Sequence, residues 1–143
     1  MTPEARSPAG SLRTGVAQAV LSEIALLLEN LAATGQAGAI DLRSLPLTEA
    51  DRAELEDHLG RGEVEARLAV AGASEVWETA YAGVWWIRHR EAEGEIASET
   101  IAVTRVPEIL MAHPADITAA AVRLQEILTP RRESAIGEET GNG

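Results

Sequence analysis

Residues 63–70 have the sequence EVEARLAV, and this stretch decides the fold class. Apolar side chains stand at every second position from Val64 to Val70, and mostly charged ones lie between them. This two-residue period is typical of a strand with one face on a core and the other in water. The apolar residues before it recur at helical spacing, so the chain changes from helix to strand at Glu63.

The residues after this stretch predict three more strands, at about 74–80, 84–90 and 95–103. The turn-forming pairs Ala82-Gly83 and Glu93-Gly94 separate these strands. Sequential strands joined by short links favour antiparallel pairing. We therefore predict an antiparallel sheet of about four strands.

Two helices are predicted on the N-terminal side of the first strand. The residues with the helical period of a single face are Val20, Leu21, Ile24, Leu27, Leu28 and Leu31. Gly35 is predicted to end this helix in the left-handed conformation. Thr48 is a predicted N-cap for a second helix at about 49–59. Between them, Ile40-Asp41-Leu42 alternates briefly and is either a short strand or an extended connector.

Prolines punctuate the return to helix after the last strand. A short turn is predicted at about 107–112, followed by a helix at about 115–128. The segments 1–15 and 130–143 are rich in small and polar residues and are predicted to be flexible. The sequence thus predicts one α+β domain over residues 16–129, in which the N-terminal and C-terminal helices pack on the sheet.

The composition excludes several classes of function. The net charge of −11 resides almost entirely in the predicted domain, and such a surface repels nucleic-acid phosphates and anionic membranes. There is no cysteine, which excludes disulfides, thiolate metal sites and cysteine nucleophiles. The N-terminus lacks the apolar core of a signal sequence, and the longest apolar run, Ile24 to Leu28, is too short to span a bilayer. We therefore expect a cytoplasmic protein that binds neither nucleic acid nor membrane.

The side chains that could carry catalysis or bind a metal form no recognised pattern. His58, His89 and His113 fall on a predicted helix, a strand and a loop, without metal-binding spacing. No nucleophile-elbow sequence surrounds a serine, and the many carboxylates are typical of a solvated acidic face. We expect a protein that is not an enzyme and has no metal and no cofactor. A metal site built from these histidines and distant carboxylates is the alternative.

Aromatic side chains are scarce, and two of them are adjacent in Gly83-Val84-Trp85-Trp86. Strand alternation places Trp85 and Trp86 on opposite faces of the sheet. Because an exposed indole presents a large apolar area, one of the two is a candidate anchor for a partner protein. The alternative is that both faces are covered and each indole belongs to the core. The candidate partner-binding residues are Trp85, Trp86, Trp77, Tyr81 and His89.

The chain also contains a series of short motifs in a fixed order between about residues 20 and 128. They are Ile40-Asp41-Leu42-Arg43-Ser44-Leu45-Pro46-Leu47-Thr48, Leu59-Gly60-Arg61-Gly62-Glu63-Val64, Glu78-Thr79 with Gly83-Val84-Trp85-Trp86, Val106-Pro107-Glu108-Ile109-Leu110, and His113-Pro114 with Asp116-Ile117. In order and spacing these motifs resemble the HupH/HyaF family of hydrogenase expression/formation proteins.

The resemblance implies an accessory role in the maturation of nickel–iron hydrogenases. It also implies that members of the family are dedicated chaperones for the small, iron–sulfur-bearing subunit and act in the cytoplasm before export. The small-subunit precursor and other maturation factors are therefore the expected partners. No catalytic residue is carried over from the family. Two alternatives are a metal-delivery factor and a self-associating module that forms a homodimer through an exposed Trp face.

Overall fold

The computed structural model describes residues 12–69 and 72–142, with side chains described as far as Thr129. It contains two compact units, the first ending at Pro107 and the second beginning at Glu108. The first unit contains, in order, α1 (Val16–Thr34), β1 (Gly38–Asp41), a 3-10 turn (Leu42–Ser44), α2 (Glu49–Leu59), β2 (Glu65–Leu68), β3 (Ala73–Glu78), β4 (Val84–Arg90) and β5 (Ile96–Val103). The second contains a 3-10 turn (Glu108–Leu110) and α3 (Pro114–Asn142).

The strands form one antiparallel sheet with the order β1-β5-β4-β3-β2. The α+β class is confirmed, and β2 to β5 form the predicted meander. The predicted count of about four strands is corrected to five, because β1 pairs with Thr100–Val103 of β5. The segment around Ile40, predicted as either a short strand or an extended connector, is therefore a strand. A strand of four residues carries too little alternation to be identified from its own sequence.

The helix ends follow the predicted capping residues. Gly35 ends α1 in the left-handed conformation, with a φ of 79°, and its N–H donates to the Leu31 carbonyl oxygen. Thr48 begins α2 as half of a capping box: its hydroxyl accepts from the Asp51 N–H, and the Asp51 carboxylate accepts from the Thr48 N–H. Both local predictions are confirmed.

The hydrophobic core lies between one face of the sheet and the helices α1 and α2. Its buried members are Ala17, Val20, Ile24, Leu42, Leu55, Leu59, Trp77, Val84, Trp86, Ile101 and Val103. Burial of each of the larger side chains contributes about 1.5–3 kcal/mol. The two indoles therefore belong to a core that is otherwise aliphatic.

Helix α1 is apolar around most of its circumference. By length and composition alone it would pass as a membrane-spanning helix, a test that core helices of soluble proteins also pass. One face of α1 contributes Ala17, Val20 and Ile24 to the core cluster. Helix α1 carries more apolar residues than this core buries. Several of the others line the candidate site.

Helix α3 is longer than the sequence indicated. It begins at Pro114, close to the predicted start, and continues to Asn142 instead of ending near residue 128. The His113 Nδ1 atom accepts from the Ala115 N–H at 3.0 Å and so caps the first turn. Packing of this helix on the sheet stays a prediction. Most of the N-terminal segment predicted to be flexible lies outside the described residues.

Candidate partner-binding site

The two neighbouring indoles lie on opposite faces of β4, as strand alternation predicted. Trp86 is directly opposite Trp77 on β3 and shares the core with it. Trp85 lies outside the core cluster, and its indole N–H donates to the Thr104 carbonyl oxygen at 3.1 Å. The two indoles thus have different surroundings although they are adjacent in the chain.

All three indoles are buried, with exposed fractions of 2% for Trp77, 5% for Trp85 and 0% for Trp86. The expected exposure of one neighbouring indole is therefore wrong, and the alternative of two buried indoles describes the structure. Trp86 is covered by the helices on its face, and Trp85 lies against the chain that leaves β5. Direct contact of these side chains with a partner stays a prediction.

Trp77 and Trp86 form a stack that continues to a charged side chain. Their rings are 5.6 Å apart and inclined by 10°. The Arg61 guanidinium lies 3.8 Å from the centre of the Trp77 ring, within the range of a cation–π interaction. The stack fixes the residues after α2 against the sheet.

A buried carboxylate joins the stack to α2. Glu99 has an exposed fraction of 0% and accepts from three donors, the Trp86 indole at 2.8 Å, Arg88 Nε at 2.7 Å and Arg52 Nε at 2.9 Å. Arg88 also donates to Glu56 of α2 at 3.1 Å. The Glu99 cluster, defined by these five residues, ties α2 to β4 and β5 through ionic hydrogen bonds.

The electrostatics of the Glu99 cluster favour a structural role. Burial alone would raise the pKa of Glu99, but the hydrogen bonds from Arg88 and Trp86 and the charge of Arg52 outweigh it, so the pKa lies below its usual value. The same partnership raises the pKa of Arg88 against the opposing effect of burial. A carboxylate that is ionised and already accepts three hydrogen bonds is poorly suited to act as a general base.

The histidines are dispersed over the fold. His89, which is half-buried on β4, shares a hydrogen bond of 2.8 Å between its Nδ1 atom and Ser74 Oγ. His58 lies near the end of α2, with Nε2 4.0 Å from Glu54 Oε2. Among the residues that the structure describes, no group of three or more His, Asp or Glu side chains is placed to hold a metal ion.

Tyr81 is the exposed member of the predicted set, with an exposed fraction of 52%. It lies in the turn between β3 and β4 and borders a cavity of about 340 Å³. The residues that line this cavity are Leu21, Ile24, Ala25, Leu28, His58, Leu59, Tyr81 and Val84. A second cavity of about 630 Å³ shares Leu28 and continues past Leu31, Ala32 and Gly83.

The two cavities share Leu28 in their linings, and we call them together the α1 groove. Its floor consists of aliphatic side chains of α1, and the turn around Tyr81 forms the opposite wall. Charged groups stand near its edges, with Glu78 and Arg105 at one end and Glu54 beside His58 at the other. An open apolar groove with a few polar groups at its edge is suited to bind an apolar segment of another protein.

Sequence reasoning identified Tyr81 but missed the rest of the groove. The available signal was the excess of apolar residues on α1, where Leu21, Ala25 and Leu28 lie beside the core residues and not among them. A single core face does not need such a wide apolar surface. Trp77, Trp85, Trp86 and His89 lie apart from this groove.

A known protein family matches most of this chain. The C-terminal conserved region of the HupH hydrogenase expression protein matches residues 15–130. The chain belongs to the HupH family. The match covers the whole of the first unit from α1 onwards, including the groove and the Glu99 cluster.

Curated relatives of this chain are named as hydrogenase operon or hydrogenase expression/formation proteins. The chain is 31% identical over 100 residues to the hydrogenase-1 operon protein HyaF of Escherichia coli, a match that covers 70% of this chain and 35% of HyaF. It is 34% identical over 94 residues to the hydrogenase expression/formation protein HupH of Rhodobacter capsulatus, covering 66% of this chain and 34% of that protein. The matched region thus spans about a third of each of these relatives.

A solved structure of a HupH protein has the same fold. The hydrogenase expression protein HupH from Thiobacillus denitrificans is 44% identical and superimposes with a TM-score of 0.78. The superposition covers 83% of this chain and 99% of that one.

Proposed function

We propose that this chain is a non-catalytic accessory protein of nickel–iron hydrogenase maturation, which acts as a chaperone for the iron–sulfur small-subunit precursor. Membership of the HupH family supports the place in hydrogenase maturation, because the relatives are named as hydrogenase expression/formation proteins. We place the action in the cytoplasm, before export of the precursor. Other maturation factors are further partners in this proposal.

The observation that carries the chaperone part of the proposal is the α1 groove. A chaperone holds apolar client segments by shape and apolar contact, and the groove offers an open apolar surface on a packed scaffold. Tyr81 stands at its wall with half of its side chain exposed, as binding anchors commonly do. We therefore propose Tyr81 as a contact residue, with the buried indoles supporting the sheet behind it.

Co-purification of the hydrogenase small-subunit precursor with tagged protein tests this function. Tyr81→Ala removes the exposed ring, and we expect it to lower recovery of the precursor about tenfold, the effect of losing roughly 1.4 kcal/mol of binding free energy. Leu26→Ala is the matched control, because Leu26 is 61% exposed on α1 and lies outside the groove lining. This control should leave recovery unchanged.

Two outcomes would contradict the proposed function. The first is failure of the wild-type protein to recover the precursor from cells that express both. The second is full recovery of the precursor by two folded single variants, Tyr81→Ala and Ala25→Glu. The Ala25→Glu substitution introduces a charge on the groove floor. Circular dichroism establishes that each variant is folded before recovery is compared.

A further inference from the structure

Strand β2 forms one edge of the sheet. It pairs with β3 on one side, and among the residues that the structure describes no strand pairs with its other side. The backbone N–H and carbonyl groups of such an edge can form a further antiparallel ladder with another strand. The outer edge of β2 is therefore a surface to which a strand of a partner can be added.

The backbone groups that face outward on this edge belong to Glu65 and Arg67. The Val64 carbonyl oxygen accepts from the Glu78 N–H at 2.9 Å, so the backbone of Val64 is directed toward β3. The direction of backbone hydrogen bonding alternates along a strand, which directs Ala66 toward β3 as well. Glu65 and Arg67 then direct their N–H and carbonyl groups away from the sheet.

The same two residues carry opposite charges on exposed side chains. Their side-chain exposed fractions are 44% for Glu65 and 77% for Arg67. Within the chain, Glu65 Oε2 lies 3.8 Å from Arg67 and 3.7 Å from Arg61. Ion pairs that are this exposed contribute little to stability, so both side chains can turn toward a partner at little cost.

Antiparallel pairing of β2 with β2 of a second copy places these charges opposite each other. With a two-fold axis at Ala66, Glu65 of each copy faces Arg67 of the other copy, and Val64 faces Leu68. The pairs of Glu65 with Arg67 occupy hydrogen-bonded positions, because both residues direct their backbone groups outward. Charge, apolar contact and backbone hydrogen bonding are thus complementary in the same register.

Other arrangements of the sheet edges lack this complementarity. An axis one residue away places Glu65 or Arg67 opposite its own copy. An axis two residues away places Glu65 opposite Glu63, or Arg67 opposite Ala69. Like charges directly opposite each other are destabilising. The other edge strand, β1, contains Asp41 as its one charged residue, so two copies of β1 cannot pair opposite charges.

We propose that this chain forms a homodimer through the outer edges of β2, with the two-fold axis at Ala66. The two five-stranded sheets then form one continuous sheet. A contact of about five residues on each strand is much smaller than the interface of a permanent dimer, so we expect the dimer to dissociate on dilution. The proposal goes beyond the proposed function and does not rest on it, because β2 lies outside the lining of the α1 groove.

Sedimentation equilibrium from about 10 μM to about 1 mM protein measures the oligomeric state. The wild-type chain should be a monomer at the lower end and approach the dimer mass at the upper end. Arg67→Glu and Glu65→Arg each place like charges opposite one another, and each should raise the dissociation constant of the dimer about tenfold or more. The matched controls are Arg43→Glu and Glu93→Arg, which make the same changes of charge at exposed positions outside β2. Both controls should leave the dissociation constant unchanged.

Restoring the opposite charges tests the register of the pairing. The double variant Glu65→Arg with Arg67→Glu exchanges the two charges, and it should dimerise like the wild-type chain. A mixture of the two single variants should form a heterodimer at concentrations at which each variant alone is a monomer, because each glutamate then faces an arginine. Circular dichroism establishes that every variant is folded.

Three results would overturn the proposed dimer. The first is a wild-type chain that is monomeric at every concentration. The second is a dimer that Arg67→Glu leaves intact, because the contact then lies on another surface. The third is failure of both the double variant and the mixture to dimerise, because Glu65 and Arg67 then do not face each other across the two-fold axis.

Discussion

Replacing Glu99 by Gln should destabilise the protein by about 3 kcal/mol. Glu99 is fully buried and accepts hydrogen bonds from Arg88, Arg52 and the Trp86 indole. Glutamine has nearly the same shape but is neutral, and its amide N–H group would face a guanidinium that also donates. Removing one partner of a buried ion pair costs about 3–5 kcal/mol, because the other charge is left without compensation.

The surroundings place the expected cost of Glu99→Gln at the lower end of this range. Arg88 is 8% exposed and retains Glu56 as a partner at 3.1 Å, so it is not left entirely without an anion. Arg52 has a side chain that is 23% exposed and can regain water. A loss of about 3 kcal/mol is a large share of the roughly 5–15 kcal/mol that keeps a typical domain folded.

Urea denaturation followed by tryptophan fluorescence measures this effect. The matched control is Glu56→Gln, which removes a carboxylate bound to the same Arg88 but 37% exposed. Because solvent screens exposed pairs, this control should cost under about 1 kcal/mol. Equal destabilisation by the two substitutions would refute the conclusion that Glu99 is the buried centre of the cluster.

The pH dependence of Glu99→Gln gives an independent check. Because the pKa of Glu99 is lowered on folding, its contribution to stability is present above the unfolded pKa of about 4.3 and is lost as pH falls through the lower folded value. The variant lacks this carboxylate. The difference in unfolding free energy between the two proteins should therefore shrink as pH falls below about 4.3.

Three further substitutions test other parts of the fold, each by urea denaturation. Asp51→Asn should cost about 1–3 kcal/mol, because the buried carboxylate accepts from the Thr14 N–H and hydroxyl at 2.8 and 2.6 Å. Burial alone would raise the pKa of Asp51, but the hydrogen bonds from Thr14 and Thr48 outweigh it, so the pKa lies below its usual value. The cost of Asp51→Asn should therefore diminish as pH falls below about 3.9. A cost that does not change with pH would contradict this role of the ionised Asp51 carboxylate. Gly83→Ala should cost about 1–2 kcal/mol, because Gly83 has a φ of 88° and an added Cβ would lie 3.4 Å from Leu31; a neutral effect would argue against this turn. Trp85→Ala should cost about 3–5 kcal/mol as a buried residue, and a cost below about 1 kcal/mol would indicate that its indole is exposed in solution.

Local patterns in the sequence predicted the helices and four of the strands because each element carries its own signal. The second helix was predicted at 49–59 from Thr48 and is found at Glu49–Leu59 with the capping box in place. Strand β4 was predicted at 84–90 and is found there. In each case the alternation or the cap depends on neighbouring residues, so no knowledge of the tertiary structure was needed.

Features that depend on distant residues could not be predicted in the same way. The pairing of β1 with β5 joins segments far apart in the chain, and neither sequence specifies the other. Alternation correctly separated Trp85 from Trp86, but their burial depends on what covers each face of the sheet. The α1 groove likewise arises from the position of the Tyr81 turn beside α1, a relation that no local pattern contains.

The position of β1 has a consequence for how the chain folds. Its residues pair with β5 residues that follow roughly sixty positions later, whereas the other strands pair with their immediate neighbours in the sequence. Closing so long a loop has an entropic cost that a hairpin largely avoids. During synthesis on the ribosome, α1 and β1 must wait until β5 has emerged before this edge can be completed. The first strand in the chain is therefore among the last to be fixed, and the part of α1 that packs on the sheet stays uncovered until then.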